Sequence, residues 1–491
     1  MDVDEGVQFA VVEGRRSSQR AGTAILADAV RAVDADLASQ IENTTDWRKR
    51  YIGPFAASVA AGARSSKDAV RIATDGLDSL HRHLTFVRGD QELRLDDAFN
   101  VLAQPLFETE VVEGRGPRVT ELEVPYGGEV LHGDRLLEQL DSWVGSGIVE
   151  PSARDALAAV IANPQWLDVS DRWFAMLGAS SEMGPLGPLC SWGANILAVD
   201  LPRPHLWDRI SATAAAGSGT LHAPVRRREG GGLNERAGAD LLTEGPEVAT
   251  WLKSFEAPFT IGNYVYADGT SFVRLASGVD ALIANLLGSR PDLSVAYLAT
   301  PTDVFAVSEE IVHAAHSRAR GSVVAAPLRT VSRSKLYARN YPTLIESEEG
   351  PRWGISDSLV PIQGPNYALS KSLQRWRAVV SREDGILSSA NVAPASKTAS
   401  VTKNKMLAAA YRGAPAFGVE IFDPATTRVL MAALLVHDIR NHQAAADPNV
   451  RVDHPYELFV QNAIHGGIWR LPYQARSVLP IGLIGGFLKR G

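Results

Sequence analysis

A chain of 491 residues has room for two or three domains and a large core, and its 45% hydrophobic and 21% charged residues mark a folded protein rather than a disordered one. A net charge of −7 argues against broad attraction to nucleic acid or to anionic membranes. The single cysteine, Cys190, excludes an intramolecular disulfide and any multi-cysteine metal site, and no metal site is predicted.

The opening stretch MDVDEGVQFAVVEGRR is acidic where a secretory signal is basic, and no long apolar run follows, so a cytoplasmic location is expected. Residues 1–165 read as a mostly helical accessory domain, one that packs on the next domain or builds a homo-oligomer interface. Its helices are expected at Ala21–Ile41, in a broken run Pro54–Leu84, and at Asp134–Trp143 and Ser152–Ile161, the last set off by Glu150-Pro151 and Asn163-Pro164. Phe107–Leu131 alternates charged and apolar residues around several glycines, which suggests a hairpin or an extended arm.

From residue 166 to 440 strands and helices alternate. Trp173–Leu177 is an apolar strand running into Gly178-Ala-Ser-Ser-Glu-Met-Gly184, with a helix from Pro185 that buries Cys190. A second strand, Asn195–Val199, ends at Asp200. Strand, glycine turn, helix, strand and terminal acid form the phosphate-binding unit of a Rossmann fold, and the 22 positions from Gly178 to Asp200 match the usual spacing. Glycines let the backbone approach a pyrophosphate, a helix N-terminus favours the anion, and the acid accepts hydrogen bonds from a ribose.

The run Arg226-Arg227-Arg228 reads as a solvated loop, and Gly238–Leu242, Phe259–Asn263 and Leu293–Leu298 as the third, fourth and fifth strands. The fold class expected is therefore α/β, a Rossmann-type parallel sheet with helices on both faces, preceded by the helical domain. An insertion near 303–353 lies over the site. The chain re-enters at Gly354-Ile-Ser356-Asp-Ser358 and reaches a helix entered through Gly364-Pro365-Asn366. Tyr367 and Lys371 are four positions apart on it, hence on one face, where an ammonium lowers a phenol's pKa toward the range useful for proton transfer. The chain then proceeds through Ile386–Pro394 to Thr398, a last helix Thr426–Arg440 follows, and residues 441–491 extend beside the site. The most apolar late run, Val478–Leu488, is too short and too glycine-rich to span a bilayer, so no transmembrane segment is expected.

GASSEMG at 178–184, Asp200, YALSK at 367–371 and NVAPASKT at 391–398 occur in the order and spacing of one family: residues 169–440 resemble the short-chain dehydrogenase/reductase superfamily. The resemblance implies hydride transfer between NAD(H) and a carbonyl or alcohol of a small-molecule substrate. Tyr367 would pass the proton, and Lys371 would bind the nicotinamide ribose while lowering the Tyr pKa. Gly178, Ser180, Ser181, Met183 and Gly184 would form the pyrophosphate turn, and Pro394 and Thr398 would meet the nicotinamide. Asp200 resembles the acid that prefers NAD(H), with NADP(H) not excluded. Asp240 resembles the acid at the adenine edge, and Asn263 echoes the family's Asn-Asn-Ala-Gly run. Ser356 or Ser358 would assist Tyr367, with Thr300 and Thr302 as alternatives.

Two positions depart from the pattern. Leu177 stands where the family has Thr, and Glu182 where it has its middle glycine, so Glu182 must point away from a phosphate or meet a cation. An apolar, bulky substrate suits the Trp- and Tyr-containing insertion and tail. Two other readings stay open: a dinucleotide-binding scaffold without turnover, and an S-adenosylmethionine-dependent methyltransferase, whose cofactor site also uses a glycine turn and a strand-end acid.

Overall fold

Runs such as Trp173–Leu177, Asn195–Val199 and Phe259–Asn263 are too short for ordinary helices and are bounded by turns. All three are strands in the computed structural model, which describes residues 5–227, 230–320, 325–333 and 335–488. Seven strands form one sheet: β1 (Phe107–Glu113), β2 (Trp173–Leu177), β3 (Asn195–Val199), β4 (Thr220–Arg226), β5 (Phe259–Asn263), β6 (Ser294–Ala299) and β7 (Ser388–Val392). Their spatial order is β7-β6-β5-β2-β3-β4-β1. Every neighbouring pair is parallel except β4 with β1. The protein is thus mixed α/β, built on a mostly parallel sheet.

Successive side chains of a strand point to opposite faces, and here the two sets enter two cores. Ala175 and Leu177 pack with Leu197, Val199 and Ile261, whereas Phe174 and Met176 pack with Ile196 and Ala198. The first face is covered by α1 (Ser18–Arg31), α2 (Ser66–His83), α3 (Thr270–Ser289) and α4 (Pro365–Glu383). Helices Gly133–Gly145, Pro151–Ala162 and Pro424–Arg440 cover the second. The front of the chain therefore contributes to both cores and to the sheet edge. By length and apolar composition α3 could cross a membrane, yet 61% of its apolar 18-residue stretch is buried inside the protein.

Several elements differ from expectation. Ala21–Ile41 is two helices, because Asp34 interrupts the run and caps Ala35–Glu42 by accepting the Leu37 N–H. Phe107–Leu131 divides into β1 and a separate hairpin, Val124–Tyr126 with Glu129–Leu131. The third strand is Thr220–Arg226, and Gly238–Leu242 is a loop. The Gly238 and Ala239 N–H groups donate to Pro224 and Asp200 carbonyls, so this backbone crosses the ends of two strands instead of lying along one. Arg226 ends β4 in an ion pair with Glu244 instead of lying in a solvated loop, while Arg228 falls outside the described residues. The expected insertion contains an antiparallel sheet of Val304–Ser308, Arg352–Asp357 and Ile345–Glu346, with a helix Glu309–Arg320.

Two further helices, α5 (Lys405–Gly413) and α6 (Ala475–Leu488), pack on each other, and the Arg412 side chain donates to the Gly486 carbonyl at 3.0 Å.

Cys190 lies in the short helix Leu186–Ser191 at 1% exposure, and burial pushes its thiol up to about 12. A buried, protonated thiol is inert. The folded protein is expected to give no reaction with a disulfide reagent at pH 8 and one equivalent after unfolding, a comparison that absorbance reads directly.

Candidate functional site

Helix α4 begins at Pro365, whose missing N–H costs nothing in a first turn. Ala368, Leu369, Leu373, Trp376 and Val379 are buried on its inner face, and full burial of a leucine is worth about 1.5–3 kcal/mol. The Trp376 ring lies so close to Gly76 of α2 that a Cβ there would fall 2.5 Å from it, so α2 fixes the roll of α4. The opposite side of α4 carries Tyr367 and Lys371 to the wall of a cavity of about 1000 Å³.

This cavity sits at the carboxyl ends of the parallel strands. It is lined by Gly178, Ser180, Ser181, Glu182 and Met183 after β2, Asp200 after β3, and Asn263 and Tyr264 at the end of β5. Thr300 and Thr302 after β6, Pro394 and Thr398 after β7, and Asp240 and Ser358 from loops complete that part of the wall. Two expected residues do not reach it. Gly184 is buried behind the turn, donating its N–H to the Ser181 carbonyl at 3.1 Å. Ser356 is 0% exposed within the small antiparallel sheet, where its hydroxyl meets those of Ser358, at 3.3 Å, and Tyr341.

The glycine turn is built from its own bonds. Gly178 has φ +84°, and a Cβ on it would lie 3.1 Å from the Tyr264 backbone, so the turn requires glycine there. Asp200 Oδ2 accepts the Ser180 N–H at 2.7 Å and Oδ1 accepts the Leu201 N–H at 2.8 Å. A carboxylate offers about four acceptor sites, so each oxygen keeps a free lone pair. Among the described residues, the Glu182 and Met183 N–H groups donate to nothing. Glu182 turns its Oε2 away to accept the Ala399 N–H at 2.7 Å, tying the turn to the loop after β7. Arg428 donates to the Glu182 carbonyl at 2.9 Å, and Arg209 to the Ser180 carbonyl at 3.1 Å. Two guanidinium groups therefore flank the turn. Burial lowers the Arg428 pKa, and Glu182 pulls it back up.

Tyr367 and Lys371 both approach the ring of Phe272. The two aromatic centroids are 6.2 Å apart, and the Lys371 Nζ is 5.9 Å from the Phe272 centroid. The expected lowering of the phenol's pKa is not found. Burial raises it, the buried Asp303 raises it further, and hydrogen bonding with Thr302 and Thr300 only partly opposes this. Lys371 donates to Gln374 Oε1 at 3.1 Å. Burial brings its own pKa down to about 8 against the pull of Asp303, with Arg375 adding to the fall. Arg375 forms an ion pair with Asp303, whose carboxyl burial raises despite that partner.

The hydroxyls beside Tyr367 are thus those of Thr300 and Thr302, 3.1 Å from each other, with Gln363 donating to the Thr302 carbonyl at 2.9 Å. Sequence reasoning passed over Asp303, Phe272 and Gln374. Only the position of Asp303, directly after the polar end of β6, offered a signal. The His465-Gly-Gly segment does not line the cavity, since His465 is fully buried 2.7 Å from Glu150, which Arg470 also grips. Among the described residues, no three His, Cys, Asp or Glu side chains converge as metal ligands.

No protein-family model matches the chain, and no curated protein matches it.

Proposed function

We propose that this chain is an NAD(H)-dependent oxidoreductase of the short-chain dehydrogenase/reductase type, acting on a carbonyl or alcohol of an apolar substrate. The observation that carries the reading is the convergence of five strand ends, Asp200, Tyr367 and Lys371 on one cavity. Numbered by their place in the chain, the six parallel strands lie in the order 3-2-1-4-5-6 of the dinucleotide-binding fold. The order reverses between β2 and β5, the point where such sheets bind ligands.

The residues present fit the cofactor. Asp200 has acceptor capacity for ribose hydroxyls, Glu182 and Met183 offer backbone N–H groups to a pyrophosphate, and Arg209 and Arg428 offset the Glu182 charge. When bound, the nicotinamide supplies or accepts the hydride. The chain's own residues handle the proton: Tyr367 donates it to the substrate oxygen, Thr300 and Thr302 orient the phenol, and Lys371 provides positive charge nearby. Residues 1–165 serve in this reading as an accessory segment that holds α4 in place.

Fluorescence titration with NADH and NADPH, followed by a panel of carbonyls and alcohols, tests the reading. The wild-type chain is expected to bind NADH more tightly than NADPH, because a carboxylate accepts ribose hydrogen bonds and repels a 2′-phosphate. Asp200→Asn is expected to lose roughly 10–100-fold in NADH affinity, the value of a charge-assisted hydrogen bond, and to narrow the preference. Absence of NADH binding would sink the proposal, and S-adenosylmethionine binding in its place would favour the methyltransferase. NADH binding with no substrate consumed would favour the scaffold.

A further inference from the structure

We propose that α5 with the preceding Lys403, α6, and residues 325–333 and 335–340 form a docking surface for an anionic lipid bilayer. The proposal concerns where this surface sits and does not depend on the chemistry in the cavity.

Charge is the first observation. The chain is acidic overall, with 56 Asp and Glu, yet residues 311–344, 386–419 and 471–491 hold thirteen Lys and Arg and no Asp or Glu. The structure brings the described parts of these three segments together. The helices α5 and α6 pack on each other, the Gln474 N–H donates to the Ala338 carbonyl at 2.9 Å, and the Tyr337 and Tyr473 rings meet edge to face at 4.8 Å. Arg333, Lys335, Arg339, Lys403 and Lys405 are exposed and form no ion pair among the described residues. Their charge is available to a partner.

Exposed apolar side chains are the second. Val331 is 84% exposed, Leu488 81% and Ile484 63%, and Met406 is exposed between Lys405 and the buried part of α5. Exposed cations together with projecting aliphatic groups are the pattern of an interfacial helix, in which alkyl groups enter the acyl boundary and ammonium groups meet lipid phosphates. A second copy of the chain suits this face poorly, because two such surfaces would repel. Nucleic acid would use the cations but leave the aliphatic groups unexplained.

The inner sides of the same helices are the third observation. Leu407 and Ala410 of α5, and Val478 and Leu479 of α6, line the cavity that holds Tyr367. The surface that meets the bilayer is therefore the outer wall of an apolar chamber, which gives a lipid-soluble molecule a short path between the two.

Co-sedimentation of the full chain with phosphatidylcholine vesicles, with and without phosphatidylglycerol, tests this. Wild-type protein is expected to bind only the anionic vesicles and to be released as salt approaches about 1 M, where the screening length falls to roughly 3 Å. Lys403→Gln with Lys405→Gln is expected to weaken binding about fivefold per lysine, on the order of 25-fold for the pair. Ile484→Ser with Leu488→Ser is expected to weaken binding while leaving its salt dependence in place. Wild-type protein left in the supernatant at low salt, equal binding to neutral vesicles, or unchanged binding by the lysine variant would each overturn the proposal. So would a dimer in sedimentation velocity that the Ile484/Leu488 variant dissociates. The lipid and salt dependence of the wild-type chain decides the matter even where a variant misfolds.

Discussion

Tyr367→Phe is expected to lower kcat for carbonyl reduction by about 10²–10⁴, the usual contribution of a positioned proton donor, with NADH affinity close to wild type. Phenylalanine keeps the contact with Phe272 and removes only the hydroxyl that meets Thr300 and Thr302. The surroundings also set the protonation state of the phenol. Burial and Asp303 hold the phenol protonated through neutral pH, the form in which it can donate to a carbonyl oxygen. Lys371, with its pKa near 8, loses its charge as the pH rises through that value. Reduction rates are therefore expected to fall above about pH 8, and Lys371→Met is expected to abolish that limb. Steady-state kinetics across pH measures both effects, and near-wild-type turnover by Tyr367→Phe would remove Tyr367 from the mechanism.

Asp280→Ala is expected to destabilise the protein by about 3–5 kcal/mol, the cost of leaving a buried charge without its partner. Asp280 Oδ1 takes the Arg377 Nε–H at 2.7 Å, Oδ2 takes Nη2–H at 2.8 Å, and His81 Nε2 lies 2.9 Å from Oδ2. One buried carboxylate on α3 thus joins α4 to α2. Burial alone would raise its pKa, but Arg377 and His81 outweigh burial and hold it well below the ordinary range. The unfolded value is about 4. This group's stabilisation is then complete above that pH and is lost as the pH falls toward the depressed folded value. The urea midpoint should drop in Asp280→Ala at neutral pH, and the gap between the two proteins should close in acid. A midpoint unchanged at pH 7 would contradict this account.

The central strands were legible because burial on both faces leaves a short apolar run with few alternatives. Trp173–Leu177, Asn195–Val199 and Phe259–Asn263 all lie where the sequence places them. The third strand was not, because Thr220–Arg226 carries His222 and Pro224 and resembles a loop, while Gly238–Leu242 carries the apolar residues. Long-range pairing decides between such segments, and the place of β1 in the sheet was hidden for the same reason, since its neighbour among the described residues is more than a hundred residues away. In the cavity, chain order and turn residues sufficed to bring Gly178, Asp200, Tyr367 and Lys371 together. The electrostatics were not legible. Spacing puts an ammonium near a phenol, but burial and the Asp303–Arg375 pair, which no local pattern announces, set where each group titrates.

The antiparallel pairing of β1 with β4 has a consequence for synthesis. Residues 107–113 leave the ribosome well before residues 220–226, so this strand waits without a neighbour while the intervening chain is made. Glu108, Glu110 and Glu113 give the waiting segment like charges at close intervals, which discourages it from zipping onto the same stretch of another nascent chain. In the finished protein Arg236 and Arg227 pair with two of those glutamates, so the charges that protect the strand while it waits also help to seat it.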